Sequence, residues 1–302
     1  MSVAPAVQAE MQTAVLEWYG ENARDLAFRR TTDPWSVLVS EVIAQQTQAA
    51  RAAEAWTRFI AQFPTPAALG SASPATVIRA WRGLGYDRRA VALRAAAIAI
   101  VDDHGGRVPD TFDELVRLPG VGPYTARAVL AIAFNRPVAA LDTNIRRVLA
   151  RAFVGDDDVP PRAFQALADG YVPPGRASSW THALMDVGAA FCRARDPRCD
   201  ACPLLAFCPY ASQTRAVRAT ESAPAHPVPK RPSPRFESTT RWLRGRILDR
   251  LRDAPDGRWV TFDGPIGNHD VEAVLNALGD LARDEMVELD DSGHRTRLRS
   301  VG

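Results

Sequence analysis

Lysine is all but missing from this chain. Lys230 is the only one, so 36 of the 37 basic residues are arginine. No lysine is therefore available in the first 229 residues for Schiff-base chemistry. Cysteine is absent everywhere except in one stretch, where Cys192, Cys199, Cys202 and Cys208 fall within 17 residues. In a reducing compartment such a cluster points to a metal site rather than to disulfides. No apolar run is long enough to span a bilayer, which predicts no membrane segment. The N-terminal MSVAPAVQAE has neither the basic start nor the apolar stretch of a secretory signal, so a cytoplasmic protein is expected. A strong charge of either sign is also absent. The net charge of +2 and a pI near 8.4 permit nucleic-acid binding without demanding it.

Alternating strand patterns are missing from residues 1–210, where helical periodicity prevails. Val7, Met11, Val15, Trp18 and Tyr19 mark a first helix, and residues 35–63 read as two more. Ser73-Pro74 opens a helix to Trp81, Arg88–Val101 is alanine-rich and helical, and Thr111 and Glu114 are spaced as a capping box. Helices follow at Thr143–Phe153, Ala163–Ala168 and Ser178–Phe191. Residues 211–236 carry five prolines and no apolar period, which predicts a linker. The last stretch, 237–302, reads as helices over Trp242–Leu251 and Val271–Ala282 followed by a hairpin, a small winged-helix-like module. Arg295, Arg297 and Arg299 alternate onto one face of that hairpin, which suits either DNA or a solvated edge strand.

Residues 118–147, LPGVGPYTARAVLAIAFNRPVAALDTNIRR, organise the chain. The turn Gly120-Val121-Gly122 lies between helical flanks, and glycines let backbone N–H groups approach an anion such as a phosphate. Asp142 stands just ahead of the next helix. It is either an acid acting on what the turn holds or simply that helix's N-cap. The cysteine spacing, C-x6-C-x2-C-x5-C, offers four thiolates to tetrahedral zinc or to a [4Fe–4S] cluster. Its compactness and its single Cys-x2-Cys knuckle suit the cluster better.

The cysteine spacing after MDVGAAFC, with LPGVGPYTA and a downstream aspartate, resembles the endonuclease III and MutY superfamily of DNA glycosylases over roughly residues 20–210. The resemblance implies a mainly α, helix-hairpin-helix glycosylase fold in residues 1–210, ending in an iron–sulfur loop at 192–208. Bifunctional members carry a lysine where this chain has Tyr124, so it implies a monofunctional enzyme without a lyase step. Glu41 followed by Gln45 and Gln46 in SEVIAQQTQ is similar to the MutY adenine glycosylases. Carried over, Glu41 protonates adenine, Asp142 stabilises the sugar cation and Tyr124 helps position Asp142. Burial is expected to raise the pKa of Glu41 while backbone donors hold Asp142 ionised. Gln46 and Tyr86 would enter the duplex around an opposing oxidised guanine, Gln45 beside them. Asn144 would support Asp142, and Arg29 with Asp186 would contact the base.

The implied partner is double-stranded DNA bearing adenine opposite 8-oxoguanine or guanine, bound by a monomer at the nucleoid. The chain departs from the family where many members carry a nucleotide-hydrolase-like β domain that reads 8-oxoguanine. Here only about 65 mostly helical residues follow the linker, so weaker discrimination between 8-oxoguanine and guanine is expected. Two other readings stay open: a thymine or uracil mismatch glycosylase of the same family, and a non-catalytic iron–sulfur DNA-binding protein.

Overall fold

A computed structural model describes residues 3–155, 159–212 and 235–300. Lys230 and most of the expected linker lie outside the described residues. The chain divides into two compact units, one of Met1–Glu41, Asp110–Arg117 and Val121–His226, the other of Val42–Pro109, Leu118–Gly120 and Pro227–Gly302.

The first unit is helical. Helix α1 (Pro5–Asn22) buries Met11 and Val15, four residues apart on one face. Helix α2 (Pro34–Ala44) begins in this unit and carries Glu41. Short α7 (Phe112–Leu115) is capped by the Thr111 hydroxyl, as the capping box requires. After α8 (Pro123–Ile132) and α9 (Thr143–Val148) the chain widens into a π-helical turn, Leu149–Val154. The expected continuous helix to Phe153 is thus interrupted, as often happens beside functional sites. Helices α10 (Pro161–Gly170) and α11 (Ala177–Ala190) complete the unit. Trp180 of α11 meets Phe153 edge to face, with ring centres 5.8 Å apart, and Met11, Phe164 and Leu184 fill the core around them.

The second unit opens with α3 (Ala49–Gln62), α4 (Pro66–Gly70), α5 (Pro74–Ala80) and α6 (Arg88–His104). The sequence pattern did not reveal α4, whose five residues show no period; it starts because Thr65 accepts from the Ala68 N–H with Pro66 in the first turn. Its C-terminal part holds α12 (Thr240–Asp253), β1 (Val260–Thr261), α13 (Val271–Arg283), β2 (Val287–Leu289) and β3 (Arg295–Leu298). The hairpin is present, with Val287 opposite Leu298. β3 is nevertheless the centre of an antiparallel sheet ordered β1-β3-β2, not an edge, because β1 pairs with its other side. Its arginines are answered internally: Arg297 pairs with Glu288 at 2.7 Å and lies over Trp259, and Arg299 faces Glu285.

Leu243, Ile247, Leu248 and Leu251 of α12 pack against Val274, Leu278 and Leu281 of α13, and the same core takes in Ala75 and Ile78 of α5. Polar contacts reinforce that seam. Arg252 Nε donates to the Ile78 carbonyl at 3.0 Å and the guanidinium pairs with Asp87. Arg82 pairs with Asp253, and the Ala75 N–H donates to the Arg299 carbonyl.

Candidate active site

Three elements of the first unit bring two carboxyls together. Glu41 lies near the C-terminal end of α2, Tyr124 in the first turn of α8, and Asp142 caps α9. The Tyr124 hydroxyl donates to the Glu41 carboxylate. Burial lifts the Glu41 carboxyl from 4.5 to about 7; the Asp142 charge adds to that, while Tyr124 and Arg29 oppose it. Burial, joined by the charges of Glu41 and Asp142, drives the Tyr124 hydroxyl well above 10, so it stays a donor.

Asp142 is both the N-cap and a member of the site. Its Oδ1 accepts from the Ile145 N–H at 2.6 Å, and its Oδ2 accepts from Asn144 Nδ2 at 3.3 Å. The expected donors are therefore in place. They do not prevail: burial raises the Asp142 pKa above its ordinary 3.8 in spite of them and of the Arg147 charge.

Arg29 binds Asp186 through two parallel bonds of 2.7 and 2.9 Å, with 6% and 2% of the two side chains exposed. Arg24 adds a third at 2.6 Å. Burial alone would raise the Asp186 pKa, but these guanidinium groups hold it below the usual carboxylate range. Among the described residues the buried Arg29 Nε has no hydrogen-bond partner; the guanidinium hydrogen-bonds the Tyr19 hydroxyl, and its charge reaches Glu41. His182, one turn before Asp186 on α11, is pushed down to about 3, first by burial and then by Arg29. It is therefore neutral. Sequence reasoning missed His182 and read Tyr19 only as part of an apolar face; the one available signal was the four-residue spacing of His182 and Asp186.

Arg147 links this site to the cysteine loop. Its Nη2 donates to Asn144 Oδ1 at 2.7 Å and to the Gly188 carbonyl at 2.9 Å, and its Nε to the Cys192 carbonyl. Helices α9 and α11 touch closely enough that a Cβ on Gly188 would lie 2.6 Å from Asn144 Cβ. Among the described residues no disulfide joins any of the four cysteines. They line one apolar hollow with Val148, Ala152, Val187, Phe191 and Leu204. Burial pushes the Cys202 thiol up to about 12, and the other three cysteines act in the same direction. No three His, Cys, Asp or Glu side chains among the described residues converge tightly enough for a single metal ion.

Gln45, Gln46, Tyr86 and Gly120 belong to the second unit. Gln46 and Tyr86 are both left-handed, at φ 53° and 49°, a strained choice for residues other than glycine. Arg89 braces both loops: Nη1 donates to the Gln45 carbonyl at 2.6 Å and Nη2 to the Gly85 carbonyl at 3.0 Å. Gly120 has φ 75°, and a Cβ there would strike the Ala92 methyl at 2.7 Å. Beyond it Val121 is buried and Gly122 is the N-cap of α8.

The HhH-GPD superfamily of base excision DNA repair proteins matches residues 39–174. An adenine DNA glycosylase of Mycobacterium tuberculosis is 44% identical over 250 residues, covering 80% of this chain and 78% of its own length. The chain belongs to the MutY-type branch of that superfamily. An adenine DNA glycosylase of Mycolicibacterium smegmatis is 41% identical, with 80% of each chain covered. Among solved structures, that of a thermostable thymine-DNA glycosylase aligns with a TM-score of 0.64 at 27% identity, over 68% of this chain and 97% of the other.

Proposed function

We propose that this protein is a monofunctional adenine DNA glycosylase of base excision repair, acting on adenine opposite 8-oxoguanine or guanine in duplex DNA. One observation carries the chemistry: two carboxyls within electrostatic reach of each other, with Tyr124 donating to Glu41 and Glu41 raised to about 7. Near neutrality Glu41 retains a proton to give to N7 of a flipped adenine. The C1′–N9 bond then breaks with its electron pair leaving on the base. The positive charge left at C1′ faces Asp142, whose carboxylate stabilises it. Water adds to C1′ and its proton returns to a carboxylate, which leaves an abasic sugar in an uncut strand. Tyr124 stands where a Schiff-base amine would be needed, so no lyase step follows. Arg29, fixed by Asp186 and with Nε still available, would face the base. The left-handed Gln46 and Tyr86 loops and the Gly120–Gly122 turn would grip the duplex.

Cys192, Cys199, Cys202 and Cys208 would hold a [4Fe–4S] cluster. Four thiols lining one apolar hollow, in the compact spacing C-x6-C-x2-C-x5-C, suit such a multi-iron group. Such a cluster, when bound, supplies iron–thiolate cross-links to the loop that Arg147 ties to Asn144. The protein is taken to act as a monomer on chromosomal DNA at the nucleoid, with residues 237–302 a small winged-helix-like module.

The test is single-turnover incubation with A:8-oxoG, A:G, T:G and U:G duplexes, followed by alkali cleavage of abasic sites. Release from the first two alone is expected. Release of thymine or uracil instead would move the protein to the mismatch-glycosylase branch, and release from none would leave a DNA-binding protein.

A further inference from the structure

The second unit holds a cleft of about 530 Å³ that the excision chemistry does not use. One wall is the turn and loop that carry Gln46, Arg51 and Tyr86. The other comes from Phe236, immediately ahead of the C-terminal module, and from Arg241 and Arg246 of α12 within it. Burial does not account for its aromatic residues: Tyr86 is 38% exposed and Phe236 is 54% exposed, two of the three exposed large apolar side chains among the described residues. Arg241 bridges them. Its guanidinium lies 3.8 Å from the Tyr86 ring centre and 5.6 Å from that of Phe236, and Nη1 donates to the Tyr86 hydroxyl at 2.6 Å.

The charges of the cleft are unevenly balanced. Arg252 is answered by Asp87 and Asp249, and Arg246 by Asp249 at 2.6 Å. Among the described residues neither Arg51 nor Arg241 meets a carboxylate; Arg51 donates only to the Gly83 carbonyl. The cleft therefore combines flat exposed rings, a planar cation stacked on one of them and excess positive charge. Those are the elements that hold an unstacked nucleobase and its phosphate.

We propose that the C-terminal module supplies half of a nucleotide-binding site. Tyr86 and Phe236, bridged by Arg241, form a platform on which one base of the bound DNA stacks outside the excision pocket, and Arg51 holds a phosphate of the same strand. The site rests on the DNA-glycosylase reading above and gives residues 237–302 a direct part in substrate binding. Arg241 also fixes the Tyr86 ring, so the module sets the pose of a residue carried on a distant loop.

The experiment uses the full chain with Asp142→Asn, so that DNA is bound without base release. Phe236→Ala, Arg241→Ala and Arg241→Lys are added singly, with Arg297→Ala on the sheet of the same module as a control. Binding to an A:8-oxoG duplex is read by fluorescence anisotropy and folding by thermal melting. Phe236→Ala and Arg241→Ala are expected to weaken binding about ten-fold or more, as loss of a stacking contact does, with Arg297→Ala unchanged. Arg241→Lys keeps the charge but loses the planar stack, and weakened binding at an unchanged melting temperature is expected even where the alanine variant melts early. Arg51→Ala should lower the slope of log Kd against log salt by about 1. If Phe236→Ala and Arg241→Lys bind as tightly as their parent, the platform does not exist. Failure of the wild type to release any base overturns the glycosylase reading instead, and is read in a separate assay.

Discussion

Replacing Glu41 with glutamine separates what the carboxyl does for catalysis from what it costs the fold. The group titrates at 4.5 without its surroundings and at about 7 within them, chiefly because it is buried. At about 1.4 kcal/mol per pH unit, that gap makes the ionised form about 3 kcal/mol worse in the folded protein. Glu41 as a whole is only half-buried, so solvent screening makes this an upper figure, and about 2 kcal/mol is the working value. Because the folded pKa is the higher one, the protonated group's contribution is whole below about pH 4.5. It is lost as pH rises through about 7. A glutamine side chain at this position would keep an acceptor for Tyr124 and carry no charge toward Asp142 or Arg29. Urea unfolding of Glu41→Gln and wild type should therefore agree near the acid end, the variant gaining about 2 kcal/mol by pH ~8.5. Single-turnover adenine release should fall by about 10²–10⁴-fold in the variant, and in the wild type should decline above about pH 7. A stability difference that does not change with pH, or a Glu41→Gln protein that still releases adenine, would refute a buried, proton-bearing Glu41.

Other perturbations probe the rest of the site. Asp142→Asn keeps a good N-cap and should melt like wild type while losing base release; Asp142→Ala should lose release and also about 1 kcal/mol of stability. Gly188→Ala places a methyl against Asn144, so it should cost about 1–3 kcal/mol by urea unfolding and slow base release, because Asn144 holds Asp142. Cys202→Ala should yield protein with little bound iron and acid-labile sulfide and without the brown colour expected of the wild type. Colourless wild-type protein with stoichiometric zinc would contradict the cluster.

The sequence shows most where side chains settle local backbone geometry. Ser73 and Thr111 cap the helices that their spacing predicts, and Gly120–Gly122 falls on the expected turn, whereas the helix expected to run through Gln48 ends at Ala44 and leaves Gln46 in a left-handed turn. It shows less where partners come from afar. Nothing local marks β1, two residues long and defined only by its pairing with β3. Without β1 the hairpin arginines look like an exposed stripe, whereas Glu288, Glu285 and Trp259 answer them. The seam between α5 and α12 is similarly silent: Ala75 and Ile78 read as an ordinary apolar face, and Leu243 and Ile247 as another. Only the fold shows that they share a core.

At Asp142 the helix cap and the catalytic acid that we propose are compatible roles. An N-cap carboxylate is fixed in direction by the N–H it accepts, here that of Ile145 at 2.6 Å, which commits one oxygen to the backbone. The second oxygen is thereby oriented as well and is held by Asn144, itself gripped by Arg147. A carboxylate so constrained cannot swing away when positive charge develops at a nearby sugar, so no reorganisation accompanies the reaction. Capping would thus aim the acid in the mechanism we propose. The requirement also explains the close contact at Gly188, since any side chain there would displace Asn144 from the oxygen it holds.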